Sequence, residues 1–369
     1  MMGGYKSLSG FKNIKIRVLL GLFALGIVAL LVFSLLIPHL KEQQTINTAD
    51  TGGPYGFTVL TNFRQETVED LKQLHMNWVR YQLNWVNIEP EPGHYNWQLL
   101  DNAVALANAN GIHITFPLQG APPWAQSQVC AHRHFLPGAD EMAAFANTVA
   151  LRYNNQNGHG YIDSYEVGNE EFDSLWTGDW NESLSCRKPT FYGPVLKAAY
   201  VAIKTASPRA IVGMGALWWV NTPHVHEYMN WLYQNQYGSY FDFANFHYYT
   251  CNDDPAVTKG DRPSFNEEWQ TIHSIMAQHN DGSKPIWVTE LGWNTTAVAQ
   301  DPHCVVTPQV QSQFIIDTAS AAMNSHIIRH IFWYTIDREN DGMSLTQPAG
   351  KLPGFYALQD FIRQHPQWP

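Results

Sequence analysis

Charged residues are scarce in this chain of 369 residues: they make up 15% of it, with 22 Lys and Arg against 32 Asp and Glu. The formal charge of −10 and the scattered basic residues argue against a nucleic-acid-binding surface, which needs clustered Lys and Arg. Only four cysteines occur, and none has the C-x-x-C spacing of a zinc ribbon or a thioredoxin-like site. No G-x-G-x-x-G loop follows the first predicted strand, so a dinucleotide cofactor is not expected.

Metal ligands are equally sparse in the sequence pattern. The stretch "CAHRHF" places His132 and His134 two residues apart, which is half of a possible metal site, but no third ligand accompanies them. A solvated loop is the commoner explanation for such a pair. We therefore predict neither a metal nor any other cofactor.

One long apolar run is present near the N-terminus. Val18–Ile37 contains no charged residue and follows a segment with four basic residues and no acid. About 20 apolar residues span the hydrocarbon core of a bilayer, whereas a signal-peptide core has about 7–15. We predict a cytoplasmic segment 1–17 and an uncleaved signal anchor at 18–40, with the rest of the chain extracytoplasmic. A cleaved signal peptide, and hence a secreted protein, is the alternative.

After a polar linker at 41–54, residues 55–369 alternate between short β-branched or aromatic runs and helical patterns. Strict alternation of strands and helices predicts a parallel sheet, and eight such units predict an α/β fold of the (β/α)8, or TIM, barrel type. A doubly wound open sheet is the structural alternative. The predicted strands are 55–60, 77–83, 112–118, 163–167, 210–216, 241–247, 285–291 and 327–335.

Polar and aromatic residues follow these predicted strands at their C-terminal ends, where the active sites of such barrels lie. Core packing is the plain alternative for any one of the 14 Trp and 17 Tyr. If the barrel forms, these strand-end residues are expected to surround one mouth: Arg80, Gln119, Trp124, Asn169, Glu170, Glu171, Trp218, His247, Tyr249, Glu290, Trp293, Trp333 and Tyr334.

Two carboxylates across a pocket lined by tryptophan suit glycoside hydrolysis. One carboxylic acid protonates the leaving oxygen, and the other stabilises or captures the oxocarbenium-like centre. Aromatic rings offer flat apolar surfaces to the C–H faces of a sugar, while polar groups bind its hydroxyls. The mouth therefore predicts a carbohydrate substrate.

Four motifs carry a resemblance to a known group of enzymes. "GNE" at Gly168–Glu170, "NFHYY" at Asn245–Tyr249 and "WVTELGW" at Trp287–Trp293 lie at the C-terminal ends of the fourth, sixth and seventh predicted strands. "VRYQLNWVNIEPEPGHYNW" at Val79–Trp97 covers the second strand and its loop. In this order they resemble the retaining glycoside hydrolases of the (β/α)8-barrel clan that includes families 5, 10 and 39, with family 39 the closest and family 5 next.

The resemblance implies roles for particular residues. Glu170 is expected to be the general acid/base and Glu290 the nucleophile. Asn169 is expected to bind the sugar 2-hydroxyl, while Arg80 and Tyr249 orient Glu290 and keep it ionised.

The remaining substrate contacts implied in the mouth are His247, Trp124, Trp293 and Trp333. For His247, a buried and hydrogen-bonded histidine is an equal alternative to a sugar contact. Trp333 is expected to form the floor beneath the reacting sugar.

The acidic doublet Glu170–Glu171 poses a choice that strand geometry does not make. Alternation of side chains along a strand would place Asn169 and Glu171 on one face and Glu170 on the other. The resemblance selects Glu170, because the Asn-Glu pair of the motif is Asn169–Glu170 and Glu171 occupies a position where many members carry proline.

The order of the barrel strands also suggests disulfide pairs in an exported domain. Loops after adjacent strands are neighbours, so we expect Cys130 to pair with Cys186 and Cys251 with Cys304. The sequence thus predicts a membrane-anchored retaining glycosidase acting on β-linked glycans. A catalytically silent carbohydrate-binding barrel at the cell surface is the alternative, although both carboxylates are present.

Overall fold

A computed structural model of the chain describes its barrel region in eight stretches. By its contacts the chain divides between Thr51 and Gly52. The predicted segments 1–17 and 18–40 and nearly all of the linker lie outside the described residues. Within the described part of the chain, no helix is both long and apolar enough to cross a membrane. The described residues are 53–60, 63–127, 136–170, 189–218, 223–260, 262–296, 303–336 and 342–368.

Strands and helices alternate along this region, as the sequence predicts. The strands are β1 Tyr55–Val59, β2 Trp78–Tyr81, β3 His113–Leu118, β4 Ser164–Val167, β5 Ile211–Met214, β6 Leu217–Trp218, β7 Ala244–Tyr248, β8 Ile286–Leu291 and β9 Ile328–Tyr334. A small hairpin pairs β10 Thr346–Gln347 with β11 Gly350–Lys351. The α-helices are α1 Gln65–Gln73, α2 Trp85–Ile88, α3 Gln98–Ala109, α4 Ala139–Arg152, α5 Pro189–Ala206, α6 Pro223–Gln234, α7 Phe265–Gln278, α8 Pro308–Ser325 and α9 Pro353–Gln364.

The nine strands β1 to β9 form one parallel sheet in the order β5-β4-β3-β2-β1-β9-β8-β7-β6. Its two edge strands, β5 and β6, are consecutive in the chain and are separated by residues 215 and 216. Gly213 of β5 also forms a parallel bridge to Phe243, just ahead of β7. The sheet is therefore TIM-barrel-like.

The fifth predicted strand differs from the expectation because it is broken into β5 and β6. At the break, the N–H of Gly215 donates to the hydroxyl of Tyr192 at 2.6 Å instead of to a neighbouring strand. The same hydroxyl donates to the carbonyl of Val167 at 2.8 Å. A tyrosine of α5 thus takes the place of a strand partner here, and the sixth, seventh and eighth predicted strands become β7, β8 and β9.

The inside of the barrel is divided into layers of different polarity. A buried aromatic cluster contains Trp78, Ile211, Phe243, Trp287 and Phe332. Towards the C-terminal ends of the strands the buried inward side chains are polar, among them Thr58, Arg80, Thr115, Glu166, Asn245 and Thr289. A second, larger apolar core packs between the strands and the helices. The aromatic layer, into which His330 also packs, fills the lower interior, and the polar side chains named above lie nearer the C-terminal mouth.

Helix starts carry the signals expected for them. Ser264 caps α7 and forms a capping box with Glu267, which satisfies N–H groups at the first turn. Thr307 caps α8, and Pro308 follows at the first helical position. These local signals fix where α7 and α8 begin.

A disulfide joins Cys251, in the loop after β7, to Cys304, in the loop after β8. This confirms the second predicted pair. Cys130 and Cys186 lie outside the described residues, so the first pair stays a prediction.

Loss of the Cys251–Cys304 disulfide should lower the stability of the barrel region. The bond closes a loop of 53 residues, and bonds of this kind contribute about 2–4 kcal/mol to the free energy of unfolding. We expect that loss in the double variant Cys251→Ser/Cys304→Ser, measured by urea unfolding. Each single variant should show a similar loss, since either one breaks the bond; a double variant with an unchanged urea midpoint would contradict this.

Candidate active site

The structure brings six of the predicted site residues together at the C-terminal ends of β2, β4, β7 and β8. Hydrogen bonds, and a contact of 3.6 Å between His247 Nδ1 and Glu290 Oε2, connect them into one group, whose members are Arg80, Asn169, Glu170, His247, Tyr249 and Glu290. Four strands distant in sequence therefore supply one polar cluster, as the strand-end rule for parallel barrels predicts.

Glu290, on β8, is buried and held from two sides. Arg80 Nη1 donates to its Oε1 at 2.5 Å, and the Tyr249 hydroxyl donates to its Oε2 at 2.7 Å. Burial alone raises the pKa of this carboxyl, but His247, Arg80 and Tyr249 outweigh that effect and bring its pKa below the ordinary value of 4.5. Glu290 is thus an ionised carboxylate at neutral pH.

Tyr249 keeps its proton in this environment. Burial, and then the negative charge of Glu290, raise the pKa of the phenol well above its ordinary value. The hydroxyl therefore stays a hydrogen-bond donor to Glu290 throughout the working pH range of most enzymes.

Arg80, on β2, is fully buried and donates to three acceptors. Its Nε binds Glu166 at 2.9 Å, its Nη1 binds Glu290, and its Nη2 binds the side-chain oxygen of Asn169 at 2.5 Å. Burial opposes the charge, but Glu166 and Glu290 outweigh it and raise the pKa of Arg80. One guanidinium thus holds both the carboxylate of Glu290 and the side chain of Asn169, the residue next to Glu170.

Glu170 sits in a different environment from Glu290. A hydrogen bond of 2.6 Å joins its Oε1 to Nδ1 of His247, and its side chain is 26% exposed against 7% for Glu290. Strand β4 has already ended at Val167, and the backbone then turns through positive φ angles at Gly168 (89°) and Glu170 (50°). Side-chain alternation therefore does not extend to Glu170, which turns towards the mouth; Glu171 lies outside the described residues.

The two carboxyl groups face each other closely. One oxygen of Glu170, one oxygen of Glu290 and a ring nitrogen of His247 all lie within 4.8 Å of one another. Such a trio has the donor types of a metal site. However, both oxygens of Glu290 already accept hydrogen bonds, both nitrogens of His247 are hydrogen-bonded, and the Arg80 cation lies alongside. The arrangement suits proton transfer and nucleophilic chemistry better than cation binding.

A buried polar network beneath the mouth was missed by the sequence analysis. Glu166 on β4 binds Arg80 and accepts from Asn245 Nδ2 at 3.1 Å, and Asn245 also donates to Thr289 Oγ1 at 3.1 Å. Thr289 in turn contacts His247 Nε2 at 3.1 Å, which links the network to Glu170. The signal was a glutamate in the middle of a buried strand, since an interior charge requires a partner.

Three predicted substrate contacts are buried in the structure. His247 is fully buried and binds Glu170 and Thr289, in keeping with the alternative of a buried, hydrogen-bonded histidine. Trp293 is 1% exposed, donates to Thr250 Oγ1 at 2.8 Å and packs against Phe314.

Trp333 lies on the outer face of β9, not beneath the mouth. It is 2% exposed and packs against Tyr55 and Phe57 in the core between strands and helices. Both faces of a barrel strand are buried, so an aromatic run such as "IFWY" does not reveal which ring points inward. The next residue, Tyr334, has its ring 6.3 Å from that of Tyr249 and thus borders the site.

Trp124 is the one predicted tryptophan of the described mouth with an open ring. It is 36% exposed in the loop after β3, and its Nε1 donates to the carbonyl of Pro90 at 3.1 Å. Its loop follows the C-terminal end of β3, the same end of the sheet at which the carboxylate cluster lies.

Comparison with known proteins agrees with this geometry. A family model described as beta-galactosidase matches residues 57–132, and one described as glycosyl hydrolase catalytic core matches residues 197–354. No curated protein matches the chain.

Solved structures with the same fold include several glycosidases. A family 39 glycoside hydrolase from Bacteroides cellulosilyticus is 16% identical with a TM-score of 0.63, over 84% of this chain and 63% of that one. This chain thus spans less than two thirds of that protein. A subfamily 18 variant of family 5 from Streptomyces cattleya, in complex with Manβ1-4GlcNAc, is 17% identical with a TM-score of 0.63, over 85% and 80% of the two chains.

Xylanase 10B from Thermotoga petrophila, in complex with xylobiose, is 15% identical with a TM-score of 0.58, over 86% of this chain and 95% of that one. At such identities the structures show a shared fold, while the two family models carry the class of enzyme. Taken together, the comparisons support a glycoside hydrolase with a (β/α)8-barrel fold.

Proposed function

We propose that this glycosidase is a retaining enzyme that cleaves β-linked glycans by double displacement, with Glu290 as nucleophile and Glu170 as acid/base. The observation that carries the proposal is the approach of their carboxylate oxygens to within 4.8 Å. Retaining glycosidases hold the two carboxyl groups about 5–5.5 Å apart, whereas inverting enzymes separate them by about 6.5–9.5 Å to admit a water molecule.

In the first step, a Glu290 oxygen attacks the anomeric carbon while the bond to the leaving oxygen breaks. Glu170 gives its proton to that oxygen, so the leaving group departs with a free hydroxyl. The product that remains is a glycosyl ester on Glu290. The ionised state of Glu290, fixed by Arg80 and Tyr249, supplies the electron pair that forms the new bond.

In the second step, Glu170 accepts a proton from water as the water oxygen attacks the same carbon. The ester bond to Glu290 breaks, its carboxylate returns to Arg80 and Tyr249, and the sugar leaves with its original configuration. Asn169, whose amide oxygen is held by Arg80, is the proposed partner of the sugar 2-hydroxyl.

The proposed substrate class rests on the comparisons and on the mouth. One neighbouring structure contains Manβ1-4GlcNAc, a β-linked disaccharide, and the family 39 neighbour matches the resemblance found in the sequence. These support a β-linked substrate and a family-39-like or family-5-like enzyme.

Replacement of either carboxylate should remove activity in a way that distinguishes the two roles. On nitrophenyl β-glycosides, Glu290→Ala should lose turnover entirely, while Glu170→Ala should lose about 10²- to 10⁴-fold. Sodium azide should then give a β-glycosyl azide with Glu170→Ala and an α-glycosyl azide with Glu290→Ala, identified by NMR.

The matched control is Glu91→Ala, whose carboxylate is 77% exposed and lies 3.8 Å from His94 Nδ1. It should hydrolyse the same substrates as the unaltered enzyme does. Full activity of Glu290→Ala, or azide products of the opposite configuration, would refute the assignment.

Tyr249→Phe should shift the acidic limb of the pH–rate profile upwards. The Tyr249 hydrogen bond is one of the causes that lower the pKa of Glu290, so its removal raises that pKa. The nucleophile then becomes protonated at a higher pH, and kcat/KM, which reports the free enzyme, should fall earlier as the pH decreases. An acidic limb that stays in place, with an equal loss of rate at every pH, would show that Tyr249 does not act through Glu290.

We also propose that residues 18–40 anchor the enzyme to a membrane, with the barrel outside the cytoplasm. The support is the uncharged run Val18–Ile37 behind a basic segment. The full-length chain should stay with membranes after an alkaline carbonate wash, and a chain beginning at residue 41 should not. Release of the full-length chain by the wash would contradict the anchor.

A further inference from the structure

Three amide side chains on the rim of the mouth take no part in the carboxylate cluster. Gln82 follows β2 and Gln119 follows β3, and each continues the inward-facing set of its strand, which includes Arg80 and Thr115. Gln82 Nε2 lies 3.5 Å from Gln119 Oε1, and Gln119 Nε2 donates to Asn84 Oδ1 at 3.0 Å. The three amides thus form one row in the layer above Arg80.

The backbone of the loops after β2 and β3 holds this row of amides in place. Gly120 has a φ of 67°, and a Cβ atom there would lie 2.6 Å from the Asn84 side chain. Trp85 N–H donates to the Gln119 carbonyl at 2.7 Å, and Val86 N–H donates to the Gly120 carbonyl at 3.0 Å. Glycine at position 120 therefore lets the loops after β2 and β3 approach and hold the amides in place.

The row keeps hydrogen-bonding capacity to spare. A primary amide has two N–H donors and one carbonyl acceptor with two lone pairs, and the contacts within the row use only part of these. Gln82 and Gln119 are half-buried and Asn84 is exposed, so solvent or a ligand reaches them. Among the described residues, the hydrogen bonds of these amides go to one another and not to a charged side chain, which suits a neutral partner with several hydroxyls.

An aromatic ring stands on the same rim. Trp124, in the loop after β3, is exposed and is fixed by its hydrogen bond to Pro90, in the loop after β2. Its ring also meets the edge of Trp85, at a centroid distance of 5.7 Å. Apolar ring and amide groups together match a sugar, whose C–H face is apolar and whose edge carries hydroxyls.

We propose that this rim, composed of Gln82, Asn84, Gln119 and Trp124, is a second sugar-binding subsite of the enzyme. It would take a neutral sugar unit joined to the one that reacts at Glu290. Gln82 lies two residues, or about 7 Å, along β2 from Arg80, which binds Glu290. The substrate is accordingly a chain of neutral sugars and not a single glycoside. This inference rests on the proposed function, because it assigns a neighbour to the sugar held by Glu170 and Glu290.

The test compares short and long substrates in the full chain. The probes are nitrophenyl β-monoglycosides and neutral β-linked tetrasaccharides, namely cello-, xylo-, manno- and galactotetraose and laminaritetraose. Trp124→Ala should lower kcat/KM on the preferred tetrasaccharide about tenfold. Gln119→Ala should lower it by about 3- to 10-fold, as expected for the loss of neutral hydrogen bonds. In both variants the loss should appear mainly in KM, with monoglycoside turnover unchanged.

Gln98→Ala is the matched control, since this glutamine is an exposed residue at the start of α3 and donates to Asn102 Oδ1; it should leave the hydrolysis of both substrates unaffected. Equal losses on short and long substrates, or none on either, would overturn the subsite.

Calorimetric binding of the tetrasaccharides to Glu290→Gln supplies a readout independent of turnover. Suppose that the unaltered enzyme hydrolyses none of these substrates, yet a tetrasaccharide binds it and Trp124→Ala weakens that binding. The proposed reaction then fails and the subsite stands. Binding of none of these chains, or of an oligogalacturonate alone, overturns the subsite.

Discussion

The buried guanidinium of Arg80 is the interaction on which the rest of the site depends. It lies inside the barrel with no exposure and meets the carboxylates of Glu166 and Glu290. Burial of an ion costs several kcal/mol unless charged partners and hydrogen bonds compensate for it. The three nitrogens of one guanidinium donate hydrogen bonds to Glu166, Glu290 and Asn169 at once. The ammonium group of a lysine lacks this planar arrangement of donors. Strands β2, β4 and β8 are therefore tied together at the depth where the chemistry takes place.

The same interaction makes the two carboxylates unequal. Glu290 accepts hydrogen bonds from the Arg80 cation and the Tyr249 phenol, and with nearby His247 these groups lower its pKa despite burial. Glu170 is hydrogen-bonded to His247, whose other nitrogen contacts Thr289. Enzymes obtain acid and base functions from similar residues by placing them in different environments. Here one arginine and one histidine create that difference over less than 5 Å of space, and the network through Thr289, Asn245 and Glu166 connects them below the substrate.

Much of the fold and half of the site could be predicted from the sequence, because each follows from a local signal. Helix caps and strand runs set the element boundaries, and the strand-end rule collected Arg80, Glu170 and Glu290 into one mouth. The tryptophans could not be predicted in this way. Trp293 and Trp333 lie in strands or loops with two buried sides, and register shifts between β8 and its neighbours alter which side faces inward. The break of the fifth strand depends on Tyr192, a side chain of α5, the helix that precedes β5. Such tertiary partners leave no periodic trace in the sequence.

The acidic doublet shows where strand periodicity ends and turn geometry begins. A glutamate with φ near 50° is in the left-handed region, which costs a non-glycine residue about 1–3 kcal/mol and persists only when its surroundings support it. The support at Glu170 is visible: its carboxylate binds His247, and the preceding Asn169 is held by Arg80. Gly168 supplies the first positive φ at no such cost. The turn therefore directs Glu170 towards Glu290, and an amide and an imidazole, not the sheet, determine where this carboxylate points.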